Sequence, residues 1–185
     1  MAGIYLHIPF CKTRCIYCDF YSTTRSELKT RYVHALCHEL GMRKEYLKGE
    51  PIETIYFGGG TPSQLEEADF KRIFETIREN YGMEHCREIT LEANPDDLSQ
   101  EYLKMLSSLP FNRISMGIQT FDDTTLRLLK RRHNSQTAIE AVRRCREAGF
   151  QNIIMLEGSW VGDKTRESMK VCGYEKLSEM YKVPF

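Results

Sequence analysis

Apolar positions along this chain recur at two spacings, and stretches of the two kinds alternate. GIYLHI, beginning at Gly3, reads as a short β-run that ends at a cysteine loop. From Glu27 to about Lys48, Leu28, Tyr32, Ala35, Leu36, Leu40 and Tyr46 return near every third or fourth place, as on one face of a helix. ETIYFGGGTPS is then a strand, Thr54 to Phe57, running into glycines and a proline turn. Leu65 to Tyr81 predicts a second helix, with Phe70, Ile73, Phe74 and Ile77 on one face. REITLEANP is a third strand stopped by Pro95, and DLSQEYLKML opens a third helix with Ser99 as its N-cap. NRISMGIQTF is a fourth strand. Asp122 to Lys130 and Ser135 to Glu147 read as helices, the second closed by Gly149, and QNIIML is a fifth strand.

Strands and helices therefore alternate, with no tandem hairpins and no low-complexity linker. Such alternation predicts an α/β fold with a parallel sheet and right-handed crossovers. The cysteines, the glycines, EANP and Gln119 each follow a strand. Loops at the carboxyl ends of parallel strands meet on one face, where barrels and open α/β sheets place their sites.

Composition narrows the classes. The chain has 185 residues, 41% of them hydrophobic, which suffices for one packed domain. Lysine plus arginine and aspartate plus glutamate number 26 each, so no basic excess points to nucleic acid or an anionic membrane. No apolar run is long enough for a transmembrane segment, and MAGIYLHIPF lacks the charged and apolar regions of a signal peptide. A cytoplasmic location is the expectation. In that reducing setting Cys37, Cys86, Cys145 and Cys172, scattered singly, read as buried small hydrophobes.

Cys11, Cys15 and Cys18 are different. They form C-x3-C-x2-C among Phe10, Tyr17, Phe20 and Tyr21. A thiolate is a soft ligand, and this spacing lets one loop set three sulfurs around one centre. Structural zinc wants four ligands, and no second cysteine pair lies downstream. A cubane iron–sulfur cluster held by three thiolates keeps one iron without a protein ligand. Zinc with His7 as fourth ligand, or three purely structural cysteines, are the alternatives. In YFGGGTP the glycines let backbone approach a ligand and offer N–H groups for an anion, although a tight turn alone also explains them. The loop lacks the Lys-Ser/Thr ending of a phosphate-binding P-loop. Glu92 is a strand-end carboxylate, able to accept hydroxyls or simply solvated. Gln119 is an uncharged donor and acceptor at the next strand end. Arg131 suits a carboxylate, or belongs to a solvated basic run from Lys130 to His133.

Taken together, IYLHIPFC with its C-x3-C-x2-C loop, YCDF, FGGGTPS, ITLEANP, GIQTF and AGFQNI resemble the coproporphyrinogen oxidase-like branch of the radical S-adenosylmethionine (SAM) superfamily. The resemblance covers roughly Gly3 to Ile153. It implies a partial (β/α)6 barrel and a 4Fe–4S cluster on Cys11, Cys15 and Cys18, whose open iron chelates SAM. It also implies that Tyr17 sits beside the cofactor and that Tyr5, Gly59, Gly60, Thr61, Glu92, Gln119 and Arg131 contact SAM. Within the branch, Cys18 is followed by Asp19 and Phe20 where the oxidases typically carry one more cysteine. That resembles the heme-chaperone (HemW) type, which implies heme or a porphyrinogen as ligand, a heme-acceptor protein and an electron donor as partners. Oxygen-independent coproporphyrinogen III oxidase is the alternative, and a structural zinc module the second.

After AGFQNI the family pattern is lost: IMLEGSWVGDKTRES has no Gly-Leu-Pro-Gly-Gln-Thr-like loop, and the family's strand-end Asp falls near Leu156 and Glu157. The expected division is a radical SAM core over 1–153, incomplete at its C-terminal end. A divergent tail over 154–185 follows, of frame-shifted or truncated origin or else a natural short variant.

Overall fold

The structure, a computed structural model, describes residues 2–157. Five parallel strands, β1 (Ala2–Ile8), β2 (Ile52–Gly59), β3 (Glu88–Ala93), β4 (Arg113–Gln119) and β5 (Asn152–Glu157), form one sheet in the order 1-2-3-4-5. Helices α1 (Lys29–Met42), α2 (Glu67–Tyr81), α3 (Gln100–Ser107), α4 (Asp123–Leu128) and α5 (Ser135–Glu147) lie in the connections. Each strand pairs with the next in sequence, so the sheet grows in one direction, as in a barrel wall, and among the described residues it does not close. The expectation of an incomplete parallel (β/α) barrel is met. The tail expected to diverge after Ile153 still extends β5 to Glu157; residues 158–185 lie outside the described part. No described helix is long and apolar enough to cross a membrane.

Helix α5 has the bounds the sequence predicts, while α1, α2 and α4 are shorter than predicted. The segment from Glu27 to Lys48 is a 3-10 turn, then α1, then a second 3-10 turn at Lys44–Leu47. Arg43 leaves helical geometry at φ −96°, ψ 9°, and Lys48 ends the segment in the left-handed region at φ 50°. Leu65 is extended rather than helical, yet it is buried, so it serves the core from outside α2. Glu66 is the N-cap, and it and Asp69 accept each other's backbone N–H in a capping box. Ser99 caps α3 by accepting from Tyr102 N–H, and Gly149 turns the chain after α5 at φ 97°.

The core lies between sheet and helices. Phe57 of β2 meets Phe70 and Phe74 of α2 and Phe111 at ring-centroid distances of 5.7, 5.4 and 5.2 Å. Leu6, Ile8, Leu91, Ile114, Met116 and Ile118 fill the same side. The residues alternating with them face the other side. Tyr5, Tyr56, Thr90, Arg113 and Asn152 stand in register across all five strands. Glu88 pairs with Arg113 on this face at the amino end of the sheet.

Candidate cofactor site at the strand ends

The carboxyl ends of β1 to β4 open into one cavity of about 540 Å³. From the loop after β1 come Cys11, Cys15, Tyr17 and Cys18; from the later strand ends come Gly59, Gly60, Thr61, Glu92, Gln119 and Arg131. All the residues singled out in the sequence are thus brought together except Tyr5. That ring is stacked on Tyr56, 6.0 Å between centroids, and lines a second cavity between β1 and α1. It adjoins the first site through Tyr56, whose hydroxyl donates to Glu92 Oε1 at 2.6 Å, and through His7 Nδ1, 3.3 Å from the Tyr5 hydroxyl.

The cysteine loop is closed at its base. Cys11 N–H donates to Thr23 O at 2.9 Å and Thr23 N–H to Pro9 O at 2.7 Å. Within it Cys18 N–H turns back to Cys15 O at 3.3 Å. Burial pushes the Cys11 thiol up; the neighbouring Cys18 and Cys15 add to this, while the Thr61 and Ser22 hydroxyls pull it back. The three sulfurs are near enough to sense one another, but no described group of three His, Cys, Asp or Glu side chains converges on one metal point. His7 is not a fourth ligand here. Its Nε2 lies 2.9 Å from Tyr21 O, and it is outside the cavity lining. Soft donors on one closed loop, facing one cavity, fit a thiolate-held iron–sulfur cluster in ligand type.

Close packing within the protein is one physical reason for the glycines. A Cβ on Gly59 would meet the His7 ring at 2.6 Å, and one on Gly60 would meet Pro9 C at 2.8 Å. Gly59 also needs φ +108°. Their N–H groups are already used: Gly59 donates to Glu92 Oε2 at 3.2 Å and Gly60 to Ile8 O at 2.8 Å. The anion held there is the protein's own Glu92, and the small residues let the β2 loop lie against β1.

Asn94 is the residue that sequence reasoning missed. Its Nδ2 donates to Thr61 Oγ1 at 3.3 Å, and Thr61 Oγ1 in turn donates to Cys11 Sγ at 3.4 Å. Its Oδ1 accepts from Arg131 Nη2 at 2.6 Å, while Arg131 Nη1 reaches Cys15 Sγ at 3.6 Å and Tyr17 Oη at 3.4 Å. A hydrogen-bonded chain thus runs from one cysteine to another through Asn94. Arg131 also donates to Gly117 O, and its Nε is buried without a hydrogen-bond partner among the described residues. Arg131 is therefore no solvated surface cation. Gln119 ends β4 at φ 71°, a left-handed conformation uncommon for glutamine, which marks a constrained strand end. The Tyr17 hydroxyl is pushed up to about 12 by burial, with Arg131 opposing, so it stays protonated at neutral pH.

A parallel barrel wall carrying a three-cysteine loop after its first strand defines the class. Residues 5–164 match the model of the Radical SAM superfamily, and the chain belongs to that superfamily. It is 39% identical over 150 residues to the heme chaperone HemW of Lactococcus lactis subsp. lactis (strain IL1403), covering 80% of this chain and 38% of that protein. It is 40% identical over 156 residues to the heme chaperone HemW of Bacillus subtilis (strain 168), covering 83% and 41%. The solved structure of coproporphyrinogen III oxidase (HemN) from Escherichia coli, a radical SAM enzyme, superposes with a TM-score of 0.76 at 29% identity, over 97% of this chain and 42% of that one. The chain thus spans about two-fifths of the length of these relatives.

Proposed function

We propose that this chain carries the cluster- and SAM-binding part of a heme chaperone of the HemW type. The observation that carries the reading is the meeting of three cysteines with the glycine loop, Glu92, Gln119 and Arg131 in one cavity. The likeness to proteins named HemW supports the type, as does Phe20, which stands where a further cysteine would complete a C-x-C in an oxidase. Cys11, Cys15 and Cys18 hold a 4Fe–4S cluster. Gly59, Gly60, Thr61 and Glu92 bind SAM together with Gln119. Arg131, fixed by Asn94 and Gly117, orients a carboxylate, and Tyr17 keeps water off the cluster. When bound, the cluster and SAM supply one-electron chemistry. The reading places these groups in residues 1–153 of a cytoplasmic protein, consistent with described cysteines that form no disulfide. Heme, an acceptor protein and an electron donor are its partners.

Anaerobic reconstitution with iron and sulfide tests it. The expected product has absorbance around 420 nm and a reduced-state electron paramagnetic resonance signal that changes when SAM is added. Cys11→Ala removes the cluster and Cys37→Ala retains it. Zinc in place of iron, or equal iron in both variants, overturns the reading. The likeness to the solved oxidase favours a second reading, radical decarboxylation of coproporphyrinogen III. Release of carbon dioxide from that substrate, without a spectral response to added heme, would select it.

A further inference from the structure

We propose that Asp97 is the positioning residue that registers the four site loops against one another and so sets how firmly the cysteine loop holds its cluster. The proposal rests on the cluster reading above. Asp97 ends the 3-10 turn Pro95–Asp97 after β3, and its side chain is only 2% exposed. A carboxylate is an acceptor with about four lone-pair sites, and here two donors reach each oxygen. Oδ1 accepts from Lys12 Nζ at 2.8 Å and Arg132 Nη2 at 3.1 Å. Oδ2 accepts from Ser63 Oγ at 2.9 Å and Gln64 Nε2 at 2.9 Å.

The donors come from the three other loops, and each lies beside a site residue. Lys12 follows Cys11, Ser63 and Gln64 follow Thr61 and Pro62, and Arg132 follows Arg131. Asp97 itself stands three places after Asn94, and its N–H donates to Asn94 O at 3.0 Å. One buried anion therefore ties every loop that carries a cluster or cofactor residue. The ties differ in strength. Arg132 has a second anchor, with Nη1 2.8 Å from Asp96. Lys12 is half exposed, at 53%, and Asp97 is its ion-pair partner among the described residues. Without Asp97 the ammonium is free to swing into water, taking the first turn of the cysteine loop with it. Groups that orient metal ligands from outside the coordination sphere commonly change metal affinity by about 10- to 100-fold when removed.

The test uses the whole chain, reconstituted anaerobically, with a ferrous chelator stripping the cluster. Asp97→Asn keeps the shape and is expected to raise the stripping rate about 10- to 100-fold, with Lys12→Met at about tenfold. Glu88→Gln breaks the ion pair with Arg113 at the opposite end of the sheet. It is expected to lower the unfolding midpoint and leave the stripping rate unchanged. In the apo-protein, amide exchange over residues 11–23, 59–65 and 131–133 should quicken together in Asp97→Asn. If Asp97→Asn behaves as Glu88→Gln does, destabilised but stripped at the wild-type rate, the residue is structural only and the proposal falls. Should Asp97→Asn not fold, the half-exposed Lys12→Met decides alone, and an unchanged rate rejects the proposal. If the wild-type chain takes up no iron, the cluster reading fails separately, and concerted exchange in the apo-protein then supports or rejects the loop registration.

Discussion

The two sides of the sheet share the same strands and differ in almost every side chain. On β4, Ile114, Met116 and Ile118 are fully buried against the helices, while Arg113, Ser115, Gly117 and Gln119 alternate with them on the inner side. On β2, Phe57 is enclosed by three other phenylalanines, whereas Tyr56 beside it sends its hydroxyl to Glu92. The helix side gains its free energy from apolar area removed from water. The inner side is held by directed polar contacts, and its carboxyl end becomes the site. Fold and chemistry are thus separated by one residue of register, because successive side chains on a strand point to opposite faces.

The largest effect should come from the helix side. Phe57→Ala removes a ring that is 0% exposed and packed against Phe70, Phe74 and Phe111. Such truncations cost about 3–5 kcal/mol, measurable by urea unfolding at neutral pH. A loss below about 1 kcal/mol would mean that the phenylalanine cluster does not anchor this side.

Next in size is a pH effect at His133, which is 4% exposed, with Nε2 3.1 Å from Ile118 O and Nδ1 unpartnered among the described residues. Burial, and then Arg131 nearby, push its pKa down from 6.5 to about 4. Between those values the unfolded chain takes up a proton that the folded chain refuses, so stability falls as pH drops through that window. Above pH 6.5 the group is neutral in both states and the contribution is constant. The shift corresponds to a loss on the order of 3 kcal/mol. Asp96 acts with the opposite sign: burial raises its pKa, although Arg132 opposes, so the folded chain protonates first there. Urea midpoints from pH 7 down to about 4.5 should decline less steeply in His133→Asn. Parallel curves would show that this histidine does not govern the acid limb.

Much of this division is legible in the chain, because it rests on local signals. All five strands stand where apolar and turn residues place them, and the cysteine, glycine, EANP and GIQTF segments arrive at one rim because each follows a strand. Helix ends are less legible, since Arg43 and Leu65 keep an apolar or helix-compatible pattern while their backbones depart from it. The polar tie-points are not legible at all. Asp97 looks like one of two surface acids in NPDDL, and its partner Lys12 is 85 positions away. Asn94 lies inside a stretch already noticed, yet it matters through Thr61 and Arg131, 33 and 37 positions distant. Tyr5 shows the converse. Its neighbours in sequence suggest the site, but on the edge strand β1 the Tyr56 ring on which it stacks stands between it and Glu92, and it lines the second cavity.

The smallest effect should come from the inner side, and it is the sharpest check on the comparison. Tyr56→Phe leaves the ring, its stacking on Tyr5 and the fold in place and removes a single hydroxyl. That hydroxyl is pushed up to about 12, by burial first and then by Glu92, so across neutral pH it remains a donor. Glu92 would keep the Gly59 N–H on its other oxygen and lose the shorter bond. Hydrogen bonds to charged groups contribute about 1.5–3 kcal/mol, and the partly buried carboxylate lines the cavity, where water can replace the phenol. The expected cost therefore sits at the low end, about 1.5 kcal/mol by urea unfolding, well under that of Phe57→Ala on the same strand. If the two neighbours cost equally, the inner face is a second core rather than a polar rim, and the separation of packing from chemistry by register fails.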